Sequence, residues 1–236
     1  MKKIYICSDS FGCPDIGWSI DPWPVLLSNK LGNNYNVTNL SISCASNILI
    51  RMQVDQAIAN QASFVILAGT TCTRSQGHVQ KVNNPHTNIY DRFVRIGNKN
   101  DDSQTRDLAC YSIQSLNETC VFAPDDIAAI KNYQTRLFDL DLAIYENQCI
   151  IESSLYTLKQ HQIPFIFDQG GFENPIFGNV RRTDYFSNFN EYKSQINQWT
   201  LSKDLPNTNI AHVHITGPEI HNQIADYYKT IIEKSC

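Results

Sequence analysis

Ile4-Tyr5-Ile6-Cys7-Ser8-Asp9-Ser10-Phe11-Gly12 opens the chain with four apolar residues that stop at a polar, glycine-ended loop. A short apolar run bounded by turn residues reads as a strand buried on both faces. The pattern returns at Phe64-Val65-Ile66-Leu67-Ala68, which runs into Gly69. Between the two runs, residues 23–31 (WPVLLSNKL) have helical spacing and a natural stop at Gly32. Residues 36–41 read as a second strand, and residues 47–59 (NILIRMQVDQAIA) as an amphipathic helix with Ile48, Met52, Val54 and Ile58 near one face.

The alternation continues beyond the third strand. Residues 125–160 form one long helical pattern, with Ile127, Ile130, Leu137, Ile144, Ile151, Leu155 and Leu158 along one side and Asp125 and Asp126 in its first turn. Residues 163–167 give a fourth strand, residues 210–215 a fifth, and residues 218–234 a closing helix. Strands that alternate with helices predict an α/β fold: a three-layer α/β/α sandwich, flavodoxin-like, around a parallel sheet of about five strands. Ligands in such sheets bind beyond the carboxyl ends of the strands. The polar segments at 8–17, 43–47, 69–76 and 169–190, with His212 and His214, all follow strands and are expected on one rim.

Residues 70–124 break the pattern, being rich in Asn, Asp, Thr and Gln. A stretch this long reads as an insertion, a lid or specificity loop, within a single domain spanning 1–236. The chain has 236 residues, enough for a core without staples, and 42% are apolar. A net charge of −4, with Lys and Arg scattered, argues against nucleic acid. The apolar run after Met1-Lys2-Lys3 ends too soon for a signal peptide, and no stretch approaches a membrane span. A cytoplasmic protein is expected. Its eight cysteines (7, 13, 44, 72, 110, 120, 149 and 236) lack any C-x-x-C pair and read as reduced thiols. His86, His161 and His221 lack ligand spacing, so neither metal nor other cofactor is expected. Oligomeric state is left open.

A serine directly after the first strand can meet the N–H groups that open the next helix, where an oxyanion is stabilised. Ser, Asp and Gly in such a loop are equally ordinary turn chemistry. At the other end, Ala211-His212-Val213-His214-Ile215-Thr216-Gly217-Pro218 sets two histidines, two residues apart, before the closing helix. If extended, they point the same way. A serine and a histidine on one rim say more than either alone, because a serine needs a base to become a nucleophile.

Four segments, in order, resemble the SGNH (GDSL-like) hydrolases. Ser8-Asp9-Ser10-Phe11 is similar to the first block, with Ser8 replacing its glycine. Residues 39–47 (NLSISCASN) resemble the second, with Cys44 at the oxyanion glycine. Ala68-Gly69-Thr70-Thr71 falls at the third, G-x-N-D, and residues 214–218 (HITGP) at the last. The resemblance implies an ester hydrolase or acyltransferase working through a Ser10 acyl-enzyme, with His214 as general base. Ser10 and Cys44 N–H groups and Thr71 would form the oxyanion hole, and the substrate would be a small-molecule or glycan ester. Asp9, Arg74 and His212 are candidate supporting or substrate-binding residues.

The departures are specific. The acid that precedes the family's histidine by three residues is Ala211 here, a two-residue offset gives His212, and the third-block asparagine becomes Thr71. Losing the orienting acid costs on the order of 10⁴ in turnover and an oxyanion donor roughly 10²–10³. The alternative is therefore a catalytically weakened module that binds a glycan, an acylated ligand or a protein partner. A carboxylate reaching His214 from elsewhere, such as Asp168 or Glu173, would favour the enzyme.

Overall fold

The computed structural model describes residues 1–9, 11–12, 21–42, 45–70, 72, 74–80, 106–112, 124–168 and 218–236. The described elements are β1 (Lys2–Cys7), α1 (Trp23–Leu31), a 3-10 turn (Gly32–Asn34), β2 (Tyr35–Asn39), α2 (Asn47–Ala59) and β3 (Phe64–Ala68). After these come β4 (Arg74–Gln80), β5 (Arg106–Ser112), α3 (Pro124–Arg136), α4 (Leu140–Gln160), β6 (Phe165–Asp168) and α5 (Pro218–Ser235).

β1, β2, β3 and β6 form a parallel sheet in the order β2-β1-β3-β6. Alternation along each strand divides the core in two. Tyr5, Cys7, Val65, Leu67, Phe165 and Phe167 face α2 and α4, where Leu49, Ile50, Val54, Ile151, Leu155 and Leu158 cover them. Ile4, Ile6, Phe64, Ile66, Ala68 and Ile166 face α1 and α5, under Trp23, Leu27, Ile224, Tyr228 and Ile232. Each fully buried side chain of this size contributes roughly 1.5–3 kcal/mol, so both helix layers are held mainly by burial. This is the α/β sandwich the sequence predicts. The sheet has four strands among the described residues rather than about five; the expected strand at 210–215 lies outside them.

Three other expectations change. The single helix expected over 125–160 is two, because the chain breaks at residues 137–139 and Asp139 caps α4 by accepting the Leu142 N–H at 2.8 Å. Leu137, placed on the buried side by periodicity, is 74% exposed at that break. The buried side of α2 is Leu49, Ile50, Gln53, Val54 and Ala57, while Ile48 is exposed. The polar stretch 70–124 contains an antiparallel pair, β4 with β5, in which Arg74 aligns with Ser112 and Gln80 with Arg106.

The strand order fixes where a site can form. From β1 the chain passes to β2 on one side and then to β3 on the other, so the connections diverge between the carboxyl ends of β1 and β3. A crevice opens at such a switch point because the two crossovers leave in opposite directions.

Candidate active site

Asp9, two residues past β1, lies in that crevice and is fully buried. Its Oδ1 accepts the Phe11 N–H at 2.8 Å, an Asx-type hydrogen bond. Its Oδ2 accepts the Thr70 hydroxyl at 2.7 Å, from the loop after β3, and pairs with the Arg74 guanidinium. Arg74 is itself 8% exposed. A buried carboxylate is tolerated only when a charge and hydrogen bonds compensate its lost hydration, and Asp9 has both.

Amide side chains hold the loops on either side. Gln53 of α2 accepts the Ser8 N–H at 2.7 Å and donates to the Ser8 carbonyl at 3.0 Å. Asn47, at the start of α2, treats Thr70 the same way, with both bonds at 2.9 Å, and its second N–H reaches Asn147 Oδ1 at 2.7 Å. Asn39, at the end of β2, donates to the Gly12 carbonyl at 2.7 Å and accepts the Ser41 N–H at 3.0 Å. A primary amide presents one donor and one acceptor side by side, which matches the N–H and C=O of one residue and continues the ladder past the strand ends. Gly12 fits this packing for lack of a side chain: a β-carbon there would run into Ser41 Oγ and stand 3.2 Å from Ser8 Cβ.

The other face of the rim is aromatic. Trp23 Nε1 donates to the Phe11 carbonyl at 2.8 Å, and the Trp23 N–H, at the start of α1, donates to His221 Nδ1 at 3.1 Å. Pro22 offers no capping side chain, so His221 of α5 supplies the acceptor instead. Burial pushes the His221 imidazole down to about 4. Asp168, at the end of β6, accepts the Tyr228 hydroxyl at 3.2 Å. Burial, then the Asp168 charge, raises the Tyr228 phenol. Burial also raises the Cys7 thiol, keeping it protonated and unreactive.

A cavity of about 350 Å³ opens beside Arg74, its described walls including Ser46, Cys72, Tyr133, Phe138, Glu146 and Asn147. This is within the size range of small-ligand sites.

Of the residues singled out in the sequence, Asp9 and Arg74 are thus brought together at the switch point. Ser10, Cys44, Thr71, His212 and His214 lie outside the described residues, as does all of 169–190, Glu173 included. Gln53, Asn147 and Thr70 carry much of the geometry without having been singled out. The available signal was Gln53 itself, an amide on the buried face of an amphipathic helix. Among the described residues no group of three or more His, Cys, Asp or Glu is placed to hold a metal ion. No described helix is long and apolar enough to cross a membrane.

The whole architecture has a counterpart. A protein from Desulfitobacterium hafniense DCB-2 ascribed to the G-D-S-L family of lipolytic proteins superposes with a TM-score of 0.52 at 11% identity, over 98% of this chain and 99% of that one. The two chains share one α/β fold. At this identity the likeness concerns the fold alone. No protein-family model and no curated protein sequence matches the chain.

Proposed function

We propose that the protein is an SGNH-type serine esterase or acyl hydrolase. Ser10 attacks the ester carbonyl while His214 takes its proton and passes it to the leaving alcohol. Water, activated by the same imidazole, then releases the acyl group from Ser10. The N–H groups of Ser10 and Cys44 receive the oxyanion, with the Thr71 hydroxyl beside them. On this reading residues 70–124 close over the site as a specificity lid, within one domain of the GDSL-like fold.

One observation carries the reading: the residue before Ser10 is a buried carboxylate tied to the Phe11 N–H, Thr70 and Arg74 at the switch point. Turn chemistry alone needs neither a cross-sheet ion pair nor a buried partner from the β3 loop. Serine catalysis gains from both, since a displacement of about 1 Å at the nucleophile can cost 10²-fold in rate. In the proposed machinery the His214 imidazole is oriented by a carboxylate such as Asp168, which also accepts the Tyr228 hydroxyl, or by a backbone carbonyl in a Ser–His dyad.

The second reading, a binding module of the same fold, is favoured by Ala211 standing where the family has its acid. Hydrolysis of short p-nitrophenyl esters decides between them. The esterase reading expects turnover in the wild type and its loss in Ser10→Ala and in His214→Ala, with melting temperatures nearly unchanged. Turnover that persists in Ser10→Ala removes the serine mechanism, and no turnover across several acyl lengths leaves the binding module.

A further inference from the structure

The cavity beside Arg74 has a charge arrangement that selects among occupants, and this selection deepens the esterase reading on which it rests. Arg74 is the cation on its described walls, but that charge already faces Asp9 across a buried ion pair. An anion entering the cavity would have to share a guanidinium whose withdrawal leaves Asp9 buried and uncompensated, which is strongly unfavourable. Glu146, also on the described walls, is solvent-exposed and has no ion pair or hydrogen-bond partner among the described residues. The charges of Asp9 and Arg74 cancel, so among the described walls the carboxylate of Glu146 supplies the uncompensated charge.

The remaining walls suit a cation that is poorly hydrated. Tyr133, in α3, and Phe138, in the α3–α4 break, contribute aromatic rings, and Ile48, Ala143 and Ile150 contribute apolar surface. Aromatic faces attract cations through their quadrupole, and apolar walls suit the methyl or methylene groups around an ammonium nitrogen. The break at residues 137–139 puts Phe138 there: a continuous helix over 124–160 would have had no turn in this place.

We propose that this cavity is a subsite for a cationic, ammonium-type group of the substrate, with Tyr133 and Phe138 supplying aromatic faces and Glu146 the counter-charge. The ester substrate is then one whose alcohol or acyl portion carries an amine or a quaternary ammonium, in preference to an acid.

The test compares acetylthiocholine with 3,3-dimethylbutyl thioacetate, its neutral isostere, on the full chain. We expect the cationic ester to be favoured about fivefold or more in kcat/KM, mainly through KM, the size of one partly exposed cation–π contact plus one surface ion pair. In Glu146→Gln and Tyr133→Leu that preference should shrink toward one while hydrolysis of the neutral isostere is retained. Equal or better use of the isostere by the wild type, or an unchanged preference in Glu146→Gln, overturns the subsite. Should neither ester be hydrolysed, tetramethylammonium binding, followed by saturation-transfer NMR, decides the subsite independently of the Ser10 reading. Binding weakened by Glu146→Gln supports it, and no binding to the wild type overturns it.

Discussion

On the α1–α5 side of the sheet, Trp23 stands 4.9 Å from Tyr228 and 5.6 Å from Phe11, ring to ring, within an apolar cluster. On the α2–α4 side the end of the core nearest the rim is polar: Gln53, Asn47 and Asn147 are buried and bonded to loop backbone or to one another. The first side holds two helices to the sheet through bulk and ring contact, which tolerate small displacements. The second fixes individual peptide groups at the ends of β1 and β3 through paired hydrogen bonds, which do not. Burial holds both sides, but positional precision is concentrated at the polar end of the second, and the candidate nucleophile follows the segment that it holds.

Substitutions should separate the two. Trp23→Ala empties the aromatic cluster and should cost roughly 4–5 kcal/mol in urea unfolding, the upper part of the range for large core truncations. Its effect on turnover should be no more than the unfolded fraction explains; a kcat loss in fully folded protein would show that the aromatic side also positions the site. Asp9→Ala leaves Arg74 buried without its carboxylate and should cost roughly 3–4 kcal/mol. Here turnover should fall further than stability does, and Asp9→Asn, which keeps the acceptor for the Phe11 N–H, should fall between.

His221 adds a pH dependence to the aromatic side alone. Above pH 6.5 the imidazole is neutral folded and unfolded, and the cap on Trp23 is intact. Between 6.5 and about 4 the unfolded chain takes up a proton that the buried imidazole refuses, so stability falls as pH falls and levels off below about 4. The full loss is on the order of 3 kcal/mol, and urea midpoints measured at pH 7 and pH 4.5 should differ far less in His221→Gln. Parallel decline of variant and wild type would assign the acid lability elsewhere. The smallest expected effect is Gln53→Ala, about 2 kcal/mol for two backbone groups of Ser8 left unpaired. Turnover should suffer more than that figure conveys if the amide bonds set the loop's position.

The elements read best from sequence were those whose signals are local. β3, α1 and α2 have the expected bounds, because an apolar run entering Gly69, a helix stopped by Gly32 and the helical spacing of residues 47–59 are all written in neighbouring residues. The α3–α4 break was hidden because Leu137, Leu140 and Ile144 keep helical spacing across it, and only Asp139 marks the new start. The β4–β5 pairing joins Arg74 to Ser112, a separation that no periodicity reports. In the site, Asp9 and Arg74 were both legible as candidate supporting residues, but their pairing across 65 positions was not. The roles of Gln53 and Asn147 depend on backbone groups or side chains brought near only by the fold.

The central claim is that Ser10 is the nucleophile that this polar scaffold serves. A fluorophosphonate probe, reacted with the full chain and located by peptide mass mapping, tests it most directly. The account predicts a single covalent adduct on Ser10, absent in Ser10→Ala and slowed in Asp9→Asn. An adduct on another residue, or no adduct from a wild-type protein that still hydrolyses esters, would contradict it.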